Sequence, residues 1–253
     1  MSLSFWKAQH KGKKRTCTFD DYKIVEKMKI GILGSGNMGS ILAKYLINLG
    51  HEVIISNSRG PASLADVSAK TGTTAGTAEE AAAAQDLVII AVPEKAIPSL
   101  PVQILSTSQA IIVHSGNYYP SRDGSNTAIE NGLTDSEWVA KVIRHPVIKA
   151  FNNIVAGSLA SKARPQGSPE RISLSVAGDD LKAKRFIMRL IDEIGFDALD
   201  AGAIASSWRQ QPGEPAYCHD LDKQNLIIAL EKADINKRAE NRALADELAR
   251  PYL

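Results

Sequence analysis

Three glycines near the front of this 253-residue chain have the spacing of a phosphate-binding turn. They occur as Gly34-x-Gly36-x-x-Gly39, directly after a short apolar run at 29–33. In such a turn the first glycine permits a tight turn, the second lets the backbone approach a pyrophosphate, and the third lets a helix pack on the strand. The helix N-terminus offers N–H groups and a partial positive charge to phosphate. The cofactor-binding residues predicted here are Gly34, Ser35, Gly36, Asn37, Met38 and Gly39.

The segments after the turn complete a strand–helix–strand unit. Residues 40–50 are apolar at helical spacing and end in Gly50, a residue typical of helix C-terminal caps. Residues 51–55 then have the β-branched composition of a buried strand. A glycine-rich turn in a doubly wound protein that binds nothing is the alternative interpretation. The complete unit favours a dinucleotide site.

The end of the second strand indicates which dinucleotide binds. Proteins that prefer NAD place a carboxylate there, which accepts hydrogen bonds from the ribose hydroxyls. Here the segment is Ser56-Asn57-Ser58-Arg59 and contains no acid. Hydroxyls, an amide and a guanidinium suit a phosphomonoester, and Arg59 can donate a charge-assisted bidentate pair. We therefore predict NADP(H), with Arg59 as a solvated loop cation the alternative.

Three further strands are predicted to end beside the cofactor. The apolar strand at 86–93 ends in Val92 and Pro93, which we expect next to the cofactor ribose. The strand at 110–114 leads to Asn117, and the strand at 147–152 ends in Asn152. Because ligands of open α/β sheets lie beyond the carboxyl ends of the strands, Asn117 is predicted to contact the nicotinamide.

The remaining patterns predict the surrounding elements. Helices are expected at 62–70, 79–84, 96–105 and 137–143, and a surface loop at 121–134. Toward the C-terminus we expect a half-exposed edge strand at 171–178, a helix at 181–195 capped by Asp179-Asp180, and a strand at 196–200. A helical tail at 222–248 is expected to dock on its own body or on a second subunit.

Composition excludes several classes of protein. Hydrophobic residues make up 44% and charged residues 23%, ordinary values for a globular protein, and no apolar run is long enough to span a membrane. Two cysteines far apart suggest neither a disulfide framework nor a metal site, so we predict a cytoplasmic protein without a bound metal. Residues 1–27 carry seven Lys/Arg and three acids, a net charge of +4. Because the whole chain has a net charge of +2, the remaining residues have a net charge of −2. A disordered leader is the favoured interpretation, and no nucleic-acid or membrane partner is expected.

Taken together, several short motifs resemble those of a known family. The chain over residues 28 to about 220 resembles the NADP oxidoreductases that depend on the deazaflavin coenzyme F-420. It is also similar to the cytosolic domains of the six-transmembrane epithelial antigen metalloreductases. The motifs that carry the resemblance are the glycine turn, Ser-Asn-Ser-Arg-Gly-Pro at 56–61, Asn-Tyr-Tyr-Pro at 117–120, Lys-Ala-Phe-Asn at 149–152 and Asp-Ala-Gly at 200–202.

The resemblance implies a fold and an activity. It implies a Rossmann-type, doubly wound, mainly parallel α/β sheet at 28–153, a small C-terminal α+β extension with the helical tail at 154–253, and a homodimer. Hydride exchange between NADP(H) and a flavin or deazaflavin co-substrate is the implied reaction. The motif match places Ser35, Asn57, Ser58 and Arg59 at the 2′-phosphate. It places Asn152 where the deazaflavin enzymes carry a histidine, which disfavours deazaflavin itself.

The hydride acceptor is the least defined part of the prediction. Candidates to contact it are Asn117, Asn152 and Trp208, the last within a loop at 206–220 that could instead contact a second subunit. Hydride transfer requires alignment of two rings, so no catalytic acid or nucleophile is assigned. We predict an NADPH-dependent oxidoreductase acting on a small redox acceptor. The alternative is an NADP(H)-binding sensor or regulatory module without turnover.

Overall fold

A computed structural model describes residues 27–252. The predicted leader therefore lies outside the described residues, apart from Lys27, which pairs with Glu52 at 2.8 Å. The strands are β1 (Lys29–Leu33), β2 (Glu52–Ser56), β3 (Thr74–Ala75), β4 (Leu87–Ile90), β5 (Ile111–His114), β6 (Ile148–Lys149), β7 (Ser173–Val176) and β8 (Asp197–Asp200). The α-helices are α1 (Asn37–Asn48), α2 (Ala65–Thr71), α3 (Ala78–Ala82), α4 (Val102–Leu105), α5 (Pro120–Asp123), α6 (Thr127–Glu130), α7 (Asp135–Ile143), α8 (Ala156–Ser161), α9 (Leu181–Ile194), α10 (Lys223–Glu231) and α11 (Arg238–Ala249). Short 3-10 helices span Pro61–Leu64, Glu94–Ser99, Ile204–Gln210, Ile235–Lys237 and Arg250–Tyr252.

The main sheet has the order β3-β2-β1-β4-β5-β6, and all of its strands are parallel. Strand β4 shows why the sheet is covered on both faces. Leu87 and Ile89 enter the core that includes α1 and α9, whereas Val88 and Ile90 enter the core that includes α3 and α7. All four side chains are buried, as a central parallel strand requires. The predicted Rossmann-type fold is confirmed.

Two predictions made from local composition are wrong. The helix expected at 96–105 is instead a 3-10 helix followed by the short α4, because Pro98 and Pro101 cannot donate helical hydrogen bonds. The loop expected at 121–134 contains most of α5 and all of α6. Asn126 initiates α6 by accepting a hydrogen bond from the Ile129 N–H, which satisfies a free donor of the first turn.

The C-terminal extension continues the sheet. Strands β7 and β8 pair in parallel, and paired hydrogen bonds between Lys149 and Ala177 join β7 to β6 in antiparallel fashion. Asp180 caps α9 as predicted, accepting from the Lys182 and Ala183 N–H groups. The expectation of a half-exposed β7 is wrong, since all four of its residues are buried. Helix α10 and the segment after β8 cover the face that its serines occupy.

The helical tail packs on its own chain. Residues 222–248 form two helices rather than one, separated where the Asp234 side chain accepts from the Asn236 N–H and competes with helical bonding. Asp246 on α11 accepts from the backbone N–H and hydroxyl of Ser121 at 2.9 and 2.8 Å. Arg242 lies over the Tyr118 ring, 5.7 Å from its centroid. Helix α11 thus supports the segment that follows β5. Within residues 27–252, no helix is both long and apolar enough to span a membrane.

Candidate functional site

The glycine turn has the geometry that its spacing predicts. Gly34 has a φ of +119°, a conformation that side chains disfavour, and a Cβ there would overlap the carbonyl of Ala91. A Cβ on Gly39 would overlap the carbonyl oxygen of Gly34, so α1 packs directly on the turn. At Gly36 the φ is −70°, and no protein atom lies within 4 Å of the position that a Cβ would take. Fold requirements thus explain Gly34 and Gly39, but not Gly36.

The first turn of α1 is open to an anion. Gly36 is its N-cap and provides no side-chain cap, and the first turn contains no acidic residue. Gly36, Asn37 and Met38 all line one cleft. Unsatisfied N–H groups at the positive end of a helix dipole suit a pyrophosphate. The residues present therefore fit the phosphates of a dinucleotide.

A polar cluster at the end of β2 adjoins this turn. The Asn57 amide donates to the hydroxyls of Ser35 and Ser63 at 3.2 and 3.0 Å, and its oxygen accepts from the Arg59 N–H at 2.9 Å. Ser58 and Arg59 are exposed, and none of the described acidic residues forms an ion pair with Arg59. The structure thus brings the four predicted 2′-phosphate residues together and adds Ser63, which sequence reasoning missed.

A cleft of about 380 Å³ runs from the glycine turn across the carboxyl ends of β4, β5 and β6. Val92 and Pro93 line its middle, and Asn117 and Asn152 line its far end. Tyr119, Arg122, Tyr217 and Cys218 also line this end. Tyr119 lies in the Asn-Tyr-Tyr-Pro motif, and Tyr217 and Cys218 lie in the loop at 206–220, but none of the four was predicted individually as a site residue.

The two asparagines are committed to bonds within the protein. The Asn117 amide donates to the Asn152 carbonyl at 3.1 Å and to the Tyr217 hydroxyl at 3.4 Å. The Asn152 amide donates to the Asn117 side chain at 2.9 Å and to the Gln210 carbonyl at 2.7 Å, and accepts from the Gln210 side chain at 2.7 Å. Both residues line the cleft as predicted, but their amide N–H groups are hydrogen-bonded to neighbouring residues of the cleft wall.

Trp208 does not line the cleft. It belongs to the 3-10 helix Ile204–Gln210, in which residues three apart share a face. Ser207 and Gln210 occupy the buried face, while Trp208 is only half-buried. The loop at 206–220 therefore lines the cleft through Tyr217 and Cys218 and holds its wall through Gln210, but not through the indole.

Charged groups lie buried beneath the loop that carries Asn117. The Lys149 ammonium donates to the Gly116 carbonyl at 2.5 Å and lies 4.0 Å from Asp135, which accepts from the Tyr118 N–H at 3.1 Å. Arg122 donates to the Asn117 carbonyl at 2.5 Å and to the Glu94 carboxylate at 3.1 Å. Charged side chains thus hold three successive residues of the loop.

Burial changes the proton affinity of this cluster. It raises the pKa of Glu94 well above its usual range, and the nearby Asp135 carboxylate adds to the effect. It lowers the pKa of His114 well below its usual range, aided by the Lys149 ammonium. The imidazole of His114 bonds to Ser136 at 2.9 Å and lies 3.3 Å from Glu94. His114 is therefore a neutral, hydrogen-bonded histidine at the end of β5.

A pair of tyrosine hydroxyls forms the polar part of the far end of the cleft. The hydroxyls of Tyr119 and Tyr217 lie 2.6 Å apart, and burial raises the pKa of Tyr119 to about 12 and that of Tyr217 well above its usual range. Phe151 and Cys218, which also line the cleft, have φ values of +63° and +54°. Left-handed backbone at two non-glycine residues is unusual and clusters at functional sites.

No cluster of metal ligands occurs among residues 27–252. The sequence Cys218-His219-Asp220 does not converge, because Asp220 accepts from Ser158 and pairs with Lys162, both at 2.7 Å. Burial raises the pKa of the Cys218 thiol to about 11, so a thiolate nucleophile is not favoured there.

The fold and the glycine turn define a Rossmann-type dinucleotide-binding protein. Residues 29–118 match the model of the family described as NADP oxidoreductase, coenzyme F420-dependent. The protein SMa0349 of Sinorhizobium meliloti is 32% identical, with a TM-score of 0.68, over 78% of this chain and 96% of that one. An Arthrobacter protein described as a candidate F420-dependent NADP reductase is 25% identical, with a TM-score of 0.61, over 71% and 87%. The chain is therefore similar to NADP oxidoreductases of this family over its dinucleotide-binding part.

Two curated relatives extend the comparison. YjhV of Escherichia coli K12 is 42% identical over 100 residues, and metalloreductase STEAP3 of Rattus norvegicus is 29% identical over 190 residues. These alignments cover 40% and 72% of this chain. The chain spans 64% of the first relative and 35% of the second.

Proposed function

We propose that this protein is an NADPH-dependent reductase that transfers a hydride to a small redox acceptor bound in the cleft. One observation carries the proposal: a single cleft joins an open glycine turn to a wall of hydroxyls and aromatic rings at the carboxyl edge of the sheet. Ligands of open α/β sheets bind at this edge. The similarity to NADP oxidoreductases supports the choice of nicotinamide chemistry.

Each part of NADPH has matching residues. The open turn at Gly36 suits the pyrophosphate, Ser35, Asn57, Ser58 and Arg59 suit the 2′-phosphate, Val92 and Pro93 adjoin the ribose, and Asn117 adjoins the nicotinamide. When bound, the cofactor supplies a hydride, and the protein contributes alignment and exclusion of water. A flavin-like or other small ring is the proposed acceptor. The small-molecule partner, the homodimer and the cytoplasmic location stay predictions.

Arg59→Ala is expected to weaken NADPH binding by roughly tenfold or more and to leave NADH binding nearly unchanged. The reason is that a charge-assisted hydrogen bond to the 2′-phosphate contributes about 1.5–3 kcal/mol, and NADH lacks that phosphate. Fluorescence titration of both cofactors measures the two affinities. Lys70→Ala, which removes another exposed cation at the end of α2, is the matched control. Equal losses for NADPH and NADH would remove Arg59 from the site.

A further inference from the structure

We propose that the Tyr217 hydroxyl donates a proton to the acceptor, so that the acceptor takes up a hydride and a proton together. Quinones and flavin-like rings belong to this class, whereas ferric chelates, which accept single electrons, do not. The inference rests on the proposed reductase function and names the chemical class of its acceptor.

The hydrogen bonds of the cleft leave a proton available at Tyr217. Its hydroxyl receives the Asn117 amide at 3.4 Å and lies 2.6 Å from the Tyr119 hydroxyl. Either hydroxyl can donate across that short contact. When Tyr119 donates, both acceptor positions of Tyr217 are filled and its own hydrogen points elsewhere, and this is the arrangement from which the proton transfer starts. Among the described residues its alternative partner is the Cys218 sulfur, a weak acceptor. An oxygen or nitrogen atom of a ligand would displace that contact.

Both tyrosines line the cleft. Tyr119 is 8% exposed and Tyr217 is half-buried, and burial raises the pKa of both hydroxyls. The asparagine amides, which could otherwise bind the acceptor, are occupied by protein partners. The polar side chains left at this end of the cleft are the tyrosine pair and the Arg122 guanidinium.

A neighbouring cation partly offsets the effect of burial on Tyr119. The Arg122 guanidinium lies 5.3 Å from the centroid of the Tyr119 ring and lowers the pKa that burial raises. A cation at this distance stabilises negative charge on Tyr119 after its hydrogen has passed to Tyr217. Arg122 is itself held by Glu94 and Asp123 at 3.1 and 2.8 Å, so its position is fixed.

The step balances in atoms and charge. The acceptor gains two electrons and one hydrogen nucleus as hydride from NADPH, which leaves as NADP⁺, and negative charge develops on a heteroatom of the acceptor. The Tyr217 O–H bond breaks, and a new bond forms between that hydrogen and the heteroatom. Tyr217 then takes the Tyr119 hydrogen across the 2.6 Å contact, and Tyr119 regains a proton from water.

Tyr217→Phe should lower kcat for NADPH oxidation by menadione by about a hundredfold, the typical contribution of a general acid. Tyr119→Phe should have a smaller effect, because the Tyr217 hydroxyl remains as proton donor and only its reprotonation by Tyr119 is lost. The solvent deuterium isotope effect on kcat should be clear in the unmodified protein and absent from Tyr217→Phe. One-electron reduction of ferricyanide, if it occurs, should be unaffected. Quenching of protein fluorescence by menadione without NADPH should give several-fold weaker binding to Tyr217→Phe.

Tyr118→Phe is the matched control, because Tyr118 does not line the cleft and its hydroxyl lies 2.9 and 2.7 Å from the oxygens of Gly124 and Glu130, one of which accepts its hydrogen. It should leave kcat, the isotope effect and menadione binding unchanged. Normal turnover and menadione binding by Tyr217→Phe would overturn the inference and leave the proposed reductase function standing. Absence of turnover by the unmodified protein with every acceptor would instead contradict the proposed function, and the inference with it.

Discussion

Gly36→Ala is expected to weaken NADPH binding by tenfold or more, a loss of about 1.4 kcal/mol or greater, with only a small fall in melting temperature from the poorer N-cap. The φ of Gly36 suits alanine, and no protein atom lies within 4 Å of the added Cβ. The methyl group therefore meets nothing in the free protein, but it occupies the space through which a pyrophosphate approaches the backbone. Calorimetric titration and thermal denaturation measure the two effects.

Gly39→Ala is the matched comparison and should lose far more stability than Gly36→Ala. Its Cβ would overlap the Gly34 carbonyl, so α1 must shift away from the turn. Overpacking of this kind costs about 1–3 kcal/mol or more in stability. A Gly36→Ala protein that binds NADPH normally would show that the turn does not hold the pyrophosphate, whatever Gly39→Ala does.

Lys149→Met is expected to lower the free energy of unfolding by about 3–5 kcal/mol, because it leaves the buried Asp135 carboxylate without its cation. Both side chains are almost fully buried, and Lys149 also donates to the Gly116 carbonyl at 2.5 Å. Methionine fills a similar volume, so the decrease in the free energy of unfolding comes from the lost charge and hydrogen bond rather than from a cavity. Urea denaturation provides the measurement.

Lys162→Met is the control for this substitution. Lys162 also pairs with an aspartate, Asp220 at 2.7 Å, but its side chain is 51% exposed. An exposed pair contributes about 0–1 kcal/mol, so this variant should remain close to the unmodified protein. Comparable stabilities of the two variants would contradict the structural importance assigned to the buried cluster.

The sequence predicts the parts of this molecule that local patterns determine. The glycine spacing and the apolar strand at 86–93 predict the parallel sheet. The glycines reflect the backbone conformation of a tight turn, and the apolar run reflects burial on both faces of a central strand. Asp179-Asp180 likewise marks the start of α9. The broken helix at 96–105 was also visible in principle, since Pro98 and Pro101 are local signals that outweigh an apolar composition.

The rest depends on contacts between distant segments. Alternating serines in β7 indicate a half-exposed strand, but α10 and the segment around Gln210 cover them after the chain returns. The contact between Tyr217 and Asn117 likewise forms only because the segment after β8 folds back onto the sheet. Lys149 and Asp135 lie in different elements, and nothing in either sequence context indicates a buried charge. The sequence therefore brought the glycine turn and both asparagines to one cleft, but it did not single out Tyr119, Arg122 or Tyr217 as lining residues.

NADPH oxidation by the unmodified protein should be measured with four acceptors: menadione, riboflavin, a deazaflavin and ferric citrate. We expect turnover with at least one two-electron acceptor, faster with NADPH than with NADH, and poor use of deazaflavin because Asn152 stands where the deazaflavin enzymes carry a histidine. Tight NADPH binding without oxidation by any acceptor would contradict the proposed reductase function and indicate a sensor.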